Sequence, residues 1–368
     1  MLKTIDLTRI NRILFFAILI AVILYFGRDV LILLTFSCFL AMLMTPVSNK
    51  LERIGVSRVF SSLISVVIII SVIFGAIMLL SAQIASVKED LPQIKSGLEE
   101  MIANVQSWIS SKFGISSEQQ ESGLKEQSSD AMSQAGKLVT GIVMGTFTFA
   151  GTFILVMVFV FLFLLQREKY ENFVVMLHRE EKKDEARETI AKISKVAQQY
   201  LGGRLISIFI LAVLYIIGFT IIGLKNAALL SVLAAIFTFI PYVGPLIGGL
   251  IPFLMAILGG SFNDGLWVLA ILGLAQALDN YFIEPYVVGG SVNISPFFAI
   301  FILILGGVVW GIAGVILFLP MLGILRIIFE NVDGLEPYAY LIGDQKDSSA
   351  QSNFWSKVKS VFSGKKKK

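Results

Sequence analysis

Four polar side chains stand close together inside an otherwise apolar stretch of the sequence, LAQALDNYFIEP. They share one face if a helix continues through the stretch, and they are Gln276, Asp279, Asn280 and Glu284. A charged acid in hydrocarbon is costly, so each acid is a candidate functional group. Burial favours the neutral form of a carboxylate, so either acid could carry a proton. The amides, together with carbonyls of broken backbone, could also hold a sodium ion.

A structural interpretation of the same acids stays open. Glu284, and with it Asp279, could lie at the membrane interface, near a helix end before Pro285. Asp279 is the stronger functional candidate because it lies deeper in the apolar run.

The motifs of enzyme active sites are missing from the sequence. It has no H-E-x-x-H and no Walker motif, and its single histidine, His178, lies in a charged segment. The single cysteine, Cys38, rules out a disulfide within the chain and is interpreted as a small core residue. We therefore expect no enzyme, no cofactor and no metal site.

The elements that must position the polar groups are membrane helices. Of 368 residues, 56% are hydrophobic and 15% are charged, against about 25% charged in soluble domains. Long apolar runs predict an all-α polytopic membrane protein. The first two of about eight runs are short for a crossing and predict a tilted pair or a hairpin around Arg28 and Asp29. The runs are Ile13–Phe26, Val30–Met44, Phe60–Leu80, Leu138–Leu165, Leu205–Leu224, Ala227–Leu258, Leu266–Leu278 and Pro296–Phe329.

Proline and glycine break one of the long runs, Ala227–Leu258. Each half is too short to cross about 30 Å of hydrocarbon. We predict a re-entrant hairpin or a sharply broken span whose backbone lines a water-filled cavity. A proline kink with only a packing role is the alternative. The residues at the break include Pro241, Tyr242, Gly244 and Pro245.

A second run, Pro296–Phe329, is broken in the letters GGVVWGIAG, at Gly306-Gly307 and from Gly311 to Gly314. Each broken run follows a plainer one, so the chain contains a span plus a hairpin twice, in opposite orientation, as in an inverted repeat. Paired broken segments of this kind indicate a transporter's binding site. We therefore place a substrate or ion pathway at the two breaks and at the polar face between them.

Positive charge orients the chain in the membrane. The segment Gln166–Gly203 carries eight Lys and Arg residues, whereas the longer Ser81–Lys137 carries five, against eight acids. Cytoplasmic loops are enriched in Lys and Arg, so 81–137 is expected outside and both termini inside. The predicted division is N-terminal membrane segments at 1–80, an extracytoplasmic amphipathic helix and linker at 81–137, a transport core at 138–334 with a cytoplasmic charged helix at 166–203, and a cytoplasmic basic tail at 335–368.

The tail combines an apolar helical face with a run of lysines. This pattern predicts an interfacial helix on anionic lipid. Nucleic-acid binding is not expected, because the basic cluster is short and adjoins an apolar face. A tail that only solubilises the chain is the alternative. The apolar face consists of Phe354, Trp355, Val358, Val361 and Phe362.

Three motifs, in this order, resemble those of the AI-2E transporter family, the autoinducer-2 exporter family of bacterial inner-membrane proteins. They are IPYVGP at Ile240–Pro245, QALDNYFIEPYVVGGSVNISP at Gln276–Pro296 and GGVVWGIAGVILFLP at Gly306–Pro320. YLGGR at Tyr200–Arg204 is similar to the glycine-containing start of the family's preceding span. The resemblance covers most of the chain and is strongest from residue 200 to residue 329.

The resemblance implies a multi-span exporter of a small molecule, which is the expected function. Some family members are similar to exporters of the signalling sugar derivative autoinducer-2, and others to sodium(lithium)/proton antiporters, the alternative function here. A homo-oligomer is also implied, with a pentameric ring as one arrangement. Many relatives place histidine where this chain has Ser295, which argues against a histidine relay there. A non-transporting membrane scaffold is the alternative from another functional class.

Overall fold

Apart from one isolated β-bridge, helices make up all the regular structure that the computed structural model describes, in residues 7–75, 77–78, 151–241, 243–259, 261–287 and 293–344. Five of these helices are long and apolar enough to cross a membrane, or six if one bent pair counts as a span. The predicted all-α polytopic membrane protein is confirmed. The helix and linker predicted at 81–137, and the tail beyond Asp344, lie outside the described residues.

The N-terminal helices α1 (Leu7–Phe26) and α2 (Arg28–Arg53) meet at Gly27. The Gly27 N–H donates to the Ile23 carbonyl at the end of α1, and the Leu31 N–H donates to the Gly27 carbonyl at the start of α2. The Leu24 carbonyl in the last turn of α1 accepts the Trp310 indole N–H. The chain therefore forms two separate helices that meet at Gly27, just before Arg28 and Asp29. With 26 residues, α2 is also long enough to cross a membrane, contrary to the expectation from its apolar run.

Three further helices complete the N-terminal half, namely α3 (Arg58–Gly75), α4 (Gly151–Leu165) and α5 (Arg167–Met176). The chain bends by 65° between α4 and α5. Apolar side chains of α2, α3 and α4 form one core cluster, which includes Ala41, Val66, Ile69, Val160 and Leu164.

A single helix of 39 residues, α6 (Lys183–Ile221), follows a short 3₁₀ turn at Glu180–Lys182. Its first half is rich in Lys, Glu, Arg and Ala, which are strong helix formers, and no proline interrupts it. The charged helix predicted at 166–203 is therefore not a separate element, since α5 ends at Met176 and α6 runs on into the apolar span.

The first broken run forms an antiparallel hairpin of α7 (Ala227–Phe237) and α8 (Val243–Gly259). The two helices touch through glycine. A Cβ added to Gly244 would lie 1.9 Å from the Phe237 carbonyl oxygen, and one added to Gly248 would lie 2.7 Å from that of Ala234. Pro245 lies in the first turn of α8, where its missing N–H is tolerated.

The chain then returns along α6 as α9 (Phe262–Leu278), a π-helical turn (Asp279–Ile283) and α10 (Glu284–Val287). A capping box of Ser261 and Asp264 starts α9. Helices α6 and α9 are antiparallel, because Ser207 contacts Asp279 whereas Gly218 lies against Ile271.

The second broken run forms another antiparallel hairpin, of α11 (Pro296–Trp310) and α12 (Ile312–Glu330). It turns at Gly311 alone, whose φ of 60° and ψ of −139° favour glycine. Gly306 and Gly307 were expected to interrupt the helix, but both lie inside α11. Gly306 packs directly on Gly314, since a Cβ on either residue would lie 2.5 Å or less from the other's carbonyl oxygen. Glycine here serves close helix packing.

The two halves run in opposite senses. Helix α6 precedes the hairpin α7–α8, and the antiparallel α9 precedes the hairpin α11–α12, so the hairpin bases lie on opposite faces of the protein. The hairpin tips meet in the interior. Phe239 at the first tip packs against a cluster that contains Tyr200, Trp310 and Phe318.

One face of the protein gathers the ends of several helices through polar contacts, and we call it the charged face. The short helix α13 (Glu336–Ile342) lies there, beside residues 293–295 at the base of the second hairpin. The contacts that define the charged face are Arg167–Glu52 at 2.6 Å, Arg58–Glu168, Lys182–Asp333 at 2.7 Å and the Arg326 guanidinium with the Asn293 carbonyl at 2.9 Å.

Candidate functional site

A buried acid and a buried base meet between α6 and the π-helical turn. Asp279 is fully buried, and Arg204 is 7% exposed. The Ser207 hydroxyl donates to Asp279 Oδ1 at 2.5 Å, and Arg204 Nη1 lies 3.6 Å from Asp279 Oδ2. Asp279 is therefore held firmly through one carboxylate oxygen and loosely through the other.

Helical spacing places the partners of Asp279 on one side of α6. Tyr200, Arg204, Ser207 and Tyr215 follow one another at intervals that return to the same helix face, and all four are buried. The surroundings of the ion pair are otherwise apolar, since Leu211, Phe219 and Val268 belong to the neighbouring core.

One nitrogen and one oxygen of the ion pair make no hydrogen bond among the described residues. Among the described residues, neither Arg204 Nε nor Asp279 Oδ2 has a hydrogen-bond partner, although both atoms are buried. Buried polar atoms without partners are rare and destabilising, so each needs a reason. Each of these two buried atoms can still accept or donate one hydrogen bond to a further group.

The depth of the pair places it within hydrocarbon. Ser207 lies 14 residues before the end of α6 at Ile221, which is about 21 Å along the axis. A bilayer core is about 30 Å thick. With Ile221 at one surface of the hydrocarbon, the pair lies inside the membrane, in the half nearer the charged face.

The π-helical turn separates the four polar residues predicted to share one face. The Glu284 N–H donates to the Asp279 carbonyl, five residues back, so Glu284 stands nearly in line with Asp279. Gln276 Nε2 donates to Asn280 Oδ1 at 3.0 Å, and the exposed Asn280 points away from the ion pair. The four residues thus form two pairs, Gln276 with Asn280 and Asp279 with Glu284. Glu284 is exposed, whereas Asp279 is buried.

The predicted backbone residues lie at the hairpin tips. Pro241 is in the link between α7 and α8, and Pro245 follows in α8. Gly244 and Gly314 are buried where two helices touch, and Gly311 makes the second turn. Tyr242 lies outside the described residues. These positions shape the hairpins, whereas the polar partners of Asp279 described above are Ser207 and Arg204.

Arg204 and Ser207 were not recognised as site residues from the sequence, where Arg204 only ended the YLGGR motif. A signal was present, because Arg204 is the only charged residue between Lys195 and Lys225. A lone charge in a membrane helix pairs with another one. Asp279 is likewise the only charged residue between Asp264 and Glu284.

A cavity of about 1130 Å³ opens at the charged face between α2, α5, α6 and the start of α13. Its floor is apolar and its rim is charged, and neither Arg204 nor Asp279 lines it. Among the described residues, no group of three or more His, Cys, Asp or Glu side chains could hold a metal ion. Residues from the floor to the rim include Cys38, Thr45, Asn49, Ile190, Ser194 and Glu336.

Comparison with known proteins agrees with this architecture. The family model described as AI-2E family transporter matches residues 14–334, which include α6, both hairpins and the ion pair. The chain belongs to the AI-2E transporter family. Its membership confirms the resemblance found in the motifs, and it establishes a multi-pass membrane protein of a transporter family.

Several relatives of this AI-2E family chain have names that propose a transport role. YueF of Bacillus subtilis is 24% identical over 336 residues, which cover 87% of this chain and 84% of YueF. YhhT of Escherichia coli K12 is 20% identical over 346 residues, covering 94% of this chain and 97% of YhhT. YrrI of Bacillus subtilis is 30% identical over 128 residues, about a third of each chain (35% and 36%).

Proposed function

We propose that this protein is a secondary transporter that exports a small molecule across a bacterial inner membrane and is driven by protons that bind at Asp279. One observation carries the proposal. Asp279 is fully buried between two membrane-spanning helices, and its Oδ2 atom has no hydrogen-bond partner among the described residues. Ionisable groups at such depth mark ion pathways.

The surrounding architecture suits alternating access. Two hairpins enter from opposite faces and their tips meet beside Tyr200, four residues from Arg204. Broken segments at the middle of a membrane, related by opposite orientation, are typical of transporter sites. Movement of one half against the other would expose the region around Asp279 first to one face and then to the other.

The substrate class rests on the family alone. Its name supports an autoinducer-2-like molecule, a small polar sugar derivative, as the first compound to test. A sodium(lithium)/proton antiporter is the second candidate, because a carboxylate oxygen without a hydrogen-bond partner can ligate a cation as well as bind a proton. A non-transporting scaffold would need no charged pair inside the membrane.

Orientation and assembly belong to the same proposal. The charged face carries Lys50, Arg53, Arg58 and Arg167, so the positive-inside rule supports a cytoplasmic location for it and for the C-terminal residues up to Asp344. The same rule, applied to Lys3, Arg9 and Arg12, supports a cytoplasmic N-terminus. A homo-oligomer, with a pentameric ring as one form, and a basic tail on anionic lipid remain proposals from the sequence.

The test is transport in proteoliposomes. Vesicles loaded with autoinducer-2 should release it when a pH gradient is imposed, and Asp279→Asn should abolish this driven release while retaining exchange. Asp264→Asn makes the same chemical change at the exposed start of α9 and should behave as the parent. Sodium flux that responds to pH, without movement of autoinducer-2, would favour the antiporter. Absence of both fluxes in the parent would favour the scaffold.

A further inference from the structure

Arg204 has two carboxylates within its surroundings, and it pairs with only one of them. Asp279 is its partner at 3.6 Å, while Glu284 begins α10, which packs against α6. Helices α6 and α9 are antiparallel and Ser207 contacts Asp279, so residues of α6 before Ser207 lie toward Glu284. Arg204 therefore lies between the levels of the two acids.

The π-helical turn is what brings Glu284 to the side of Arg204. In a regular α-helix, two positions five residues apart are separated by about 140° around the axis. The hydrogen bond from the Glu284 N–H to the Asp279 carbonyl closes a wider turn, so the second acid stands one turn along from the first. π-Helical turns are frequent at functional sites.

Charge balance explains why a second acid is needed. An arginine stays protonated in a protein at any physiological pH. If a proton neutralised Asp279, the charge of Arg204 would remain buried without a partner, which is strongly unfavourable. Glu284 is the acid that follows Asp279 along the chain, on a segment that packs against α6.

We propose that Arg204 is a movable counter-ion that pairs with Asp279 when Asp279 is charged and moves to Glu284 when Asp279 takes up a proton. The proton binds at Oδ2, the oxygen that lacks a hydrogen-bond partner, while Ser207 keeps its bond to Oδ1. No covalent bond between heavy atoms changes. One positive charge shifts by about one helical turn, from the buried acid to the exposed acid nearer the charged face.

The inference rests on the proposed function, but its test does not use transport. The carbonyl stretch of protonated Asp279 can be followed by infrared difference spectroscopy on protein in liposomes, and Asp279→Asn identifies the band. In the parent, Glu284 stabilises the protonated state of Asp279 by accepting Arg204. Glu284→Gln should therefore lower the pH midpoint of the band by about one unit, a tenfold change in proton affinity.

Direct repulsion between the two acids would shift the midpoint in the same direction, so a second background separates the two effects. In Arg204→Gln, the same Glu284→Gln change should shift the midpoint by less than a third as much, because no counter-ion is left to move. An equal shift in both backgrounds, or no shift in the parent, overturns the proposal. Asp264→Asn serves as a matched control and should leave the band in place.

A structural measurement decides the question if Arg204→Gln does not fold. Asp279→Asn imitates the neutral acid, so its structure determined by electron cryo-microscopy should show the Arg204 guanidinium within salt-bridge distance of Glu284. An Arg204 side chain that stays beside the substituted amide at position 279 overturns the counter-ion proposal. Loss of proton-driven transport in Asp279→Asn would then still support the proposed function, so the two proposals fail separately.

Discussion

Two ion pairs involve α6, one just before its start and one near its middle. Both join a basic side chain to an aspartate, but they differ in exposure and in distance. Lys182, just before α6, lies 2.7 Å from Asp333 at the charged face, and both side chains are largely exposed, at 49% and 89%. Arg204, within α6, is separated from Asp279 by 3.6 Å, and their side chains are buried, with exposed fractions of 8% and 0%. The shorter contact is the less important one, because water already solvates both of its partners. The contribution of an ion pair to stability therefore depends more on its burial than on its distance.

The strongest way to test this contrast is to remove one buried partner. Arg204→Ala leaves Asp279 without its counter-ion, and we expect the free energy of unfolding to fall by about 3–5 kcal/mol. Thermal unfolding in detergent micelles measures the change. An unchanged unfolding temperature at neutral pH would mean that Asp279 is already neutral in the parent and that the pair is not ionic.

The same contrast between packed and open positions applies to two glycines. A Cβ at Gly244 would meet the Phe237 carbonyl oxygen at 1.9 Å, whereas one at Gly273 meets nothing within 4 Å. Gly244→Ala should destabilise the protein by about 1–3 kcal/mol through overpacking. Gly273→Ala should be neutral or stabilising, by up to about 1 kcal/mol.

Transport assays on the two glycine variants add a second result. If Gly244→Ala keeps the stability of the parent but loses transport, the backbone at the first hairpin tip takes part in transport. If both properties fall together, the tip has a packing role only, as its buried contact suggests.

Replacing both members of the buried pair sharpens the comparison further. Arg204→Met with Asp279→Leu removes both charges, so stability should stay within about 1–2 kcal/mol of the parent or rise above it. Transport driven by a pH gradient should disappear completely. The variant therefore separates stability from function. Retained driven transport in this variant would remove the pair from the mechanism.

The smallest effect is expected at the exposed pair. The Lys182 ammonium beside Asp333 holds the pKa of Asp333 below its usual range. The pair's contribution is thus present at neutral pH and is lost as the pH falls through the lowered pKa. Asp333→Asn should leave the unfolding temperature at pH 7 within error, and should remove only a slight part of the decline in acid. A large drop at pH 7 would contradict the comparison.

Part of this site could be predicted from single residues, and part could not. Asp279 was identifiable because an acid in an apolar run is costly wherever the helix lies. Its partner Arg204 lies 75 residues earlier in the chain, and the pairing depends on the register between α6 and α9, which no local pattern encodes. The π-helical turn also escaped prediction, because its residues, DNYFI, have no feature that distinguishes them from an α-helical sequence.

The hairpins show the same division. Proline and glycine indicated correctly that both runs are broken, and the reversal at each break follows from the shortness of the halves. The glycines at 306 and 307 were assigned to a break because glycine weakens helices in isolation. In the folded chain Gly306 lies against Gly314, and the close contact between helices outweighs that local preference.

The uninterrupted length of α6 has a mechanical consequence. Residues near its start, such as Ile190 and Ser194, line the cavity at the charged face, and Arg204 follows on the same rod. Because a continuous helix resists stretching along its axis, an axial displacement of its cavity end also moves Arg204. One helix thus connects the cavity at the charged face mechanically to the side chain that pairs with Asp279.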